Sequence, residues 1–359
     1  MATRSTSNQS LPDMPSSLPQ FLRQDRSALV NKFHYIENLQ RDRLTEQFEN
    51  PEKESEWTRL TGDHIASRNR YINVEPFANN RVKLNVREGF NDYINASPII
   101  LGPRRYIATQ GPKNTSTSQF YRMLAQEATD KNPSVVVMLT QTHEAGREKC
   151  FKYFPDGQDT PLELHPDPDL NDGFEGRVEL LAAEEDPACR CTTRHLRLRY
   201  KTPTEEGQDD QWHEKEVYHL LFAGWPDFSV PEGENRKAML NLIEKSATFN
   251  LPPGVPRGTF PLDTAQKPSS QYTPSPRIIH CSAGVGRSGT FIALDFLLAH
   301  LEHGNLDSVP DDIDPILDTV NAMRTQRMMM VQSEAQFLFL YDVMRVAWLE
   351  HHDTTGTVP

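Results

Sequence analysis

The chain has 359 residues, 25% of them charged, and a formal net charge of −12. An acidic excess of this size argues against sequence-independent nucleic-acid binding, which relies on clustered Lys and Arg. No run of about 18 apolar residues occurs and the N-terminus lacks an apolar signal core, so neither membrane spanning nor secretion is expected.

Residues 1–18, rich in Ser, Pro and Asn, bury too little apolar surface to fold and are expected to form a disordered tail. Phe21, Leu29, Val30, Phe33, Ile36, Leu39 and Leu44 keep helical spacing, which predicts a long amphipathic helix ending near Phe48. Apolar runs and alternations predict strands over 93–100, 105–110, 135–139, 178–182, 196–200, 216–222 and 277–280. Helical patterns lie near 116–128, 234–246, 288–301, 313–325 and 333–350. This mixture makes an α+β domain with a highly twisted mixed sheet flanked by helices, occupying 19–350, with a short disordered tail over 351–359. The segment 252–276 holds seven prolines and reads as an extended surface loop. The stretch 156–172, with five aspartates and Glu163, reads as a solvated acidic loop. The four cysteines, at 150, 189, 191 and 281, form no zinc-like C-x2-C pair; Cys150 is expected to be buried, and Cys189 and Cys191 to lie on one side of a strand.

Residues 280–291 read His-Cys-Ser-Ala-Gly-Val-Gly-Arg-Ser-Gly-Thr-Phe, between the strand signal at 277–279 and a helical run. A strand-to-helix turn with three glycines can curl its N–H groups toward one point, and the helix adds the positive end of its dipole there. Together these make an anion cradle suited to phosphate. Ser282, Ala283, Gly284, Val285 and Gly286 would line it, with Cys281 on its floor. Converging N–H dipoles and the Arg287 guanidinium would favour thiolate over thiol. Two other readings compete. Gly284 to Gly289 is also a literal G-x-G-x-x-G, but a dinucleotide site needs a second parallel strand ending in an acidic residue, and 303–312 is a loop instead. An inert buried cysteine in a glycine turn would leave Arg287 unexplained.

The full string resembles the active-site loop of the protein tyrosine phosphatases, and further segments resemble that family in order. These are Arg68-Asn69-Arg70-Tyr71 with Asn73, Val74 and Pro76; Asp92-Tyr93-Ile94-Asn95-Ala96-Ser97; Tyr106 through Pro112; Trp225-Pro226-Asp227-Phe228 with Val230-Pro231; and Arg324-x-Gln326-Arg327 through Gln332 and Gln336. The likeness covers roughly 25–348. It implies a phosphotyrosine hydrolase working through phosphocysteine, with no metal or other cofactor. By the same resemblance Arg287 grips the phosphate, Asp227 is the general acid, and Ser288 donates to the leaving thiolate. Gln332 and Gln336 position water, Glu144 orients Arg287, and His280, with Tyr153 as partner, structures the thiolate environment. Tyr71 and Phe228 would wall a pocket too deep for phosphoserine, and Asn73 would hydrogen-bond the substrate backbone. Tyr121 stands where the family usually has Trp, a packing variation. The Met328-Met329-Met330 run is read as core.

The expected partners are phosphotyrosine proteins, with MAP kinases suggested by analogy to single-domain fungal enzymes. A thiolate enzyme needs a reducing compartment, so a cytoplasmic monomer, with the nucleus as a second location, is expected. A binding module without catalysis would lack nucleophile, arginine or acid, and all three are present. A phosphoinositide enzyme is disfavoured by Tyr71 and by the absence of Lys from 282–286.

Overall fold

The computed structural model describes residues 15, 17–50, 55–129, 132–167, 173–202, 211–225, 229–251 and 275–355. A 24-residue helix opens the domain, α1 (Arg26–Glu49), started by the Asp25 side chain accepting from Ala28 N–H. A short helix α2 (Asp63–Ala66) follows, then β1 (Ala96–Leu101), β2 (Arg104–Thr109), α3 (Thr117–Glu127) and β3 (Ser134–Met138). Two-residue strands β4 (His143–Glu144) and β5 (Arg147–Glu148) form a small hairpin. Next come β6 (Leu162–Leu164), β7 (Glu175–Asp186), β8 (Cys191–Thr202), β9 (Gln211–Phe222) and α4 (Glu234–Phe249). The chain then enters β10 (Arg277–His280), α5 (Gly286–Glu302), α6 (Pro315–Arg324) and α7 (Glu334–Thr355).

Eight strands form one sheet in the order β1-β2-β10-β3-β9-β8-β7-β6. The centre is parallel, with β10 between β2 and β3 and β3 beside β9, while both flanks are antiparallel. Side chains alternate across it. Val135 and Val137 of β3, Ile279 of β10 and Tyr106 and Ala108 of β2 pack with α1 and α4–α7. Val136, Met138, Ile278 and Ile107 pack on the other face with Phe120, Met123 and Leu124 of α3. In an open α/β sheet the place for a ligand is beyond the carboxyl ends of the parallel strands, which here means immediately after His280.

The α+β class and the central elements agree with the sequence reading, and β10 agrees to the residue. Five details differ. The stretch 156–172 is not all solvated loop: Leu162–Leu164 pair with β7 as β6, and Leu164 is buried. Strands β7–β9 are each 12 residues long, because pairing continues into polar stretches, where Thr192 Oγ1 donates to Glu185 (2.7 Å) and Arg197 pairs with Glu214 (3.2 Å). Leu18, placed in the N-terminal tail, is buried in the core beside Phe21 and Leu22. The expected tail at 351–359 is helical as far as Thr355: α7 gains a last turn through His352, which stacks on Trp348 (4.2 Å) and lies 3.4 Å from Asp307. Cys189 sits in the turn before β8 rather than on the strand, and both it and Cys191 are buried, as is Cys150, whose burial was expected. Most of the N-terminal tail, most of 252–276 and residues 168–172 lie outside the described residues. Among the described residues no helix is long and apolar enough to cross a membrane.

Candidate active site

The turn from β10 into α5 is fixed from outside through its carbonyl groups. His280 Nδ1 lies 3.1 Å from the Cys281 carbonyl. Gly111 N–H donates to Ser282 O (2.9 Å), and the N–H groups of Gly289 and Val331 donate to Val285 O (2.9 and 3.2 Å). The buried guanidinium of Arg327 donates to Ala283 O (3.1 Å) and Gly284 O (3.0 Å), and is itself anchored on Asn95 and Ser97 of the β1 region. With five successive carbonyls engaged outward, the N–H edge is left facing inward. Gly284 N–H accordingly points at Cys281 Sγ, 3.2 Å away. Gly284 has φ +72°, and a Cβ there would come 2.1 Å from Thr109 O, so no other residue fits.

Cys281 is 5% exposed. Burial alone would raise its pKa, yet the net shift is downward: the Ser288 hydroxyl, the positive charge of Arg287 and the N–H groups of Ser288 and Gly284 outweigh it. The Ser288 hydroxyl acts on the sulfur without meeting full hydrogen-bond geometry, and among the described residues its oxygen meets no other partner. Burial pushes the Cys150 thiol up instead, and the Cys189 thiol up to about 12. Of the four thiols, that of Cys281 alone is lowered.

Arg287 is held as a fork. Its two terminal nitrogens donate to the two oxygens of Glu144 at 2.6 and 2.9 Å, and one also reaches Leu139 O at 3.1 Å. Burial would raise the Glu144 pKa, but the hydrogen bonds and charge of Arg287 and the bond from Thr140 Oγ1 (2.8 Å) bring it below the usual carboxylate range. Glu144 can take this position because β4 and β5 close through a two-residue turn with φ +48° at Ala145 and +73° at Gly146, the mirror-image hairpin turn that suits twisted strands.

Gln332 and Gln336 lie beside the loop. A Cβ on Gly286 would come 3.0 Å from the Gln336 amide and 3.3 Å from Gln332 Cβ. Gln336 Oε1 accepts from Gln332 N–H (3.0 Å) and Ser333 N–H (3.3 Å), so it caps α7 as well as facing the site. The chain reaches Gln332 through two non-glycine residues at positive φ, Met329 (+60°) and Val331 (+59°). That strain is held by the buried Arg324, which donates to Met330 O (2.9 Å) and Val331 O (2.8 Å). Met328 and Met330 are buried in the core as expected.

On the opposite rim, Arg68 and Arg70 tie the recognition segment to the fold: Arg68 donates to Tyr93 O (2.7 Å), and Arg70 to Gly111 O (3.1 Å) and Pro112 O (2.8 Å). Tyr71, 36% exposed, shares a hydrogen bond with Ser282 Oγ at 2.8 Å. Ser282 Oγ donates to Lys149 O (2.8 Å), so the Tyr71 hydroxyl is the donor of the pair. Asn73 is exposed two residues on. Asp227 and Phe228 lie outside the described residues. The ends of their segment are joined by Trp225 Nε1, which donates to Ser229 O at 2.9 Å.

His280 is fully buried, and that burial lowers its pKa to about 4 despite the Cys281 carbonyl, which acts to raise it. Its Nε2 meets Tyr153 Oη at 2.6 Å, the partner the sequence suggested. Tyr121, in place of the family's Trp, donates to Tyr153 O (2.8 Å). The role of Arg327, which turns the loop's carbonyls outward, was not recognised from sequence. A buried arginine five residues before Gln332 is visible as a letter, but its four partners come from segments more than 40 and 230 residues away.

A buried cysteine with a lowered pKa, an arginine fork and an N–H-lined loop thus lie together after a central parallel strand. A protein-family model described as protein-tyrosine phosphatase matches residues 65–345. The chain is 33% identical over 356 residues to Tyrosine-protein phosphatase 1 of Saccharomyces cerevisiae, covering 91% of this chain and 96% of that protein. It is 32% identical over 323 residues to Tyrosine-protein phosphatase 2 of Schizosaccharomyces pombe, covering 89% of this chain but 39% of that longer protein. It is also 32% identical over 279 residues to the Phosphatidylinositol phosphatase PTPRQ of Rattus norvegicus, 77% of this chain and 10% of that one. Among solved structures, PTPN18 in complex with HER2 phosphopeptides superposes with a TM-score of 0.67 over 92% of this chain and 98% of that chain, at 24% identity, a likeness of fold. The chain belongs to the protein-tyrosine phosphatase family, enzymes that remove phosphate from tyrosine.

Proposed function

We propose that this chain hydrolyses phosphotyrosine in proteins through a phosphocysteine at Cys281. The observation that supports it most is the single lowered thiol, placed where the loop's carbonyls all turn away and its N–H groups turn inward. Phosphate monoesters react through a loose transition state, so fixed donors around the equatorial oxygens supply much of the gain. Arg287, already forked by Glu144, and the N–H groups of 282–287 are those donors.

In the first step the thiolate attacks phosphorus in line. The S–P bond forms, the bond from phosphorus to the phenol oxygen breaks, and Asp227 gives its proton to that oxygen. In the second, a water held by Gln332 and Gln336 attacks phosphorus and passes a proton to Asp227. The S–P bond breaks and the electron pair returns to Cys281, where Ser288 and Gly284 receive the thiolate. Tyr71, Phe228 and Asn73 hold the ring and the peptide. A phosphotyrosine protein is favoured over a phosphoinositide because no lysine stands within 282–286 to meet extra headgroup phosphates and Tyr71 walls a deep pocket. The catalytic domain runs from about residue 18 to the end of α7, works as a monomer in the reducing cytoplasm or nucleus, and takes MAP kinases as substrates by analogy with fungal relatives.

Asp227→Ala tests this reading. A positioned general acid contributes about 10²–10⁴-fold, so kcat on phosphotyrosine falls by that factor. The deficit shrinks on an aryl phosphate with an acidic phenol, which leaves without protonation. The slow variant retains phosphotyrosine proteins from its own cells, and vanadate releases them. Equal losses on both leaving groups, or capture that vanadate does not reverse, would remove Asp227 from the role of acid.

A further inference from the structure

Behind the nucleophile, three buried aromatic side chains from separate elements run in single file. His219 of β9 places Nε2 3.0 Å from Tyr153 Oη; Tyr153 Oη lies 2.6 Å from His280 Nε2; His280 Nδ1 lies 3.1 Å from the Cys281 carbonyl. The rings are in edge contact at 5.4 Å for both neighbouring pairs, and all three residues are at most 1% exposed.

The proton positions follow from the partners. A carbonyl can only accept, so His280 carries its hydrogen on Nδ1. Burial keeps that ring neutral, with a pKa of about 4, so its Nε2 is an acceptor. Tyr153 has one hydroxyl hydrogen and must give it to His280 Nε2. His219 Nε2 then has to donate to Tyr153 Oη. His219 is also kept neutral, first by burial, then by Arg194, whose guanidinium lies 4.3 Å over the Phe154 ring that packs on His219, and by His280. Among the described residues its Nδ1 meets no partner, as expected of a bare ring nitrogen. Other charged or titratable groups face this file. Cys150 and Tyr121 act on Tyr153, whose hydroxyl is pushed up by burial, and Arg70 acts on His280.

We propose that His219 is a positioning residue for the nucleophile: it heads a one-way file of donors, His219 to Tyr153 to His280 to the Cys281 carbonyl, whose aligned dipoles point their positive ends at the backbone of Cys281. Each hydrogen bond polarises the next, so donation into His280 Nε2 strengthens the Nδ1–H bond that draws charge from the Cys281 carbonyl. The sequence gives His219 no motif; it is one buried residue of β9, six before Trp225.

The inference rests on the thiolate reading of Cys281, and the two fail differently. If Cys281 is not a primed nucleophile, the wild-type pH midpoint for iodoacetate alkylation lies near the free-cysteine value of about 8.5. If only the file is wrong, that midpoint is low and His219 variants leave it unmoved. His219→Leu is expected to raise the midpoint by about half a unit and to lower kcat/KM on an aryl phosphate at pH 6 about threefold. His219→Gln, which keeps a donor, restores much of both. In a cycle with Tyr153→Phe the two effects do not add, because either change cuts the same file. An unmoved midpoint in His219→Leu, or additive shifts in the double variant, would overturn the proposal. Should His219→Leu not fold, nitrogen-15 shifts of the wild-type imidazoles decide it. The file requires a neutral Nε2–H tautomer at His219 and a neutral Nδ1–H tautomer at His280, and the opposite tautomer at either refutes it.

Discussion

Two loops meet at the Ser282 hydroxyl and are built in opposite ways. The nucleophile's loop, 281–287, is over-determined: its carbonyls are fixed by Arg327, Gly111, Gly289, Val331 and His280, and one of its glycines has no room for a side chain. The segment 68–74 is anchored at its two ends, by Arg68, Asn69 and Arg70 on one side and by Asn95 at Val74 O on the other, while between them Tyr71 is 36% and Ile72 90% exposed. The difference separates two tasks. Phosphate chemistry needs donors placed before the substrate arrives, so the atoms that place them are buried and each has several partners. Choosing among peptides needs surface that can change without disturbing the cradle.

That contrast predicts a graded set of losses. Cys281→Ser keeps the cradle without its thiolate, so turnover falls more than 10³-fold while phosphotyrosine peptides still bind; kinetics and equilibrium binding together check this. Arg327→Met frees two loop carbonyls without touching substrate. It should lower kcat/KM about 10²-fold, even on a small aryl phosphate, and lower the thermal midpoint by about 5–10 °C. A variant with wild-type rate and Tm would mean that the loop holds its own shape. On the recognition side, Tyr71→Ala should cost about tenfold in kcat/KM on a phosphotyrosine peptide with no change in Tm, and Asn73→Ala about threefold or less, mostly in KM. If Tyr71→Ala destabilised the fold as much as Arg327→Met, the proposed division between the two loops would not hold.

The pattern of what could be read from sequence follows the same division. That Cys281, Arg287, Gln332, Gln336 and Glu144 would lie together was legible because they stand in short ordered strings that carry the resemblance. The central strands were found because burial on both faces leaves near-continuous apolar runs, as in Val135-Val136-Val137. The outer parts of β7–β9 were missed because Glu184-Glu185-Asp186, Thr192, Gln211 and His213 to Lys215 are polar residues whose cross-strand pairing leaves no apolar period. The last turn of α7 was missed because its support, Trp348 against His352, is a contact that spacing alone does not reveal. Arg327 and His219 went unassigned for the converse reason: their partners are distant in the chain, so only the packed sheet brings them to the site.

The central claim is the covalent intermediate. Gln332→Ala should slow its hydrolysis more than its formation, so acid quench during steady-state turnover of a phosphotyrosine peptide, followed by peptide mass spectrometry, should find phosphate on Cys281 in a large fraction of the enzyme. Quenched enzyme with Cys281 unmodified while product forms, or phosphate on another side chain, would contradict the account.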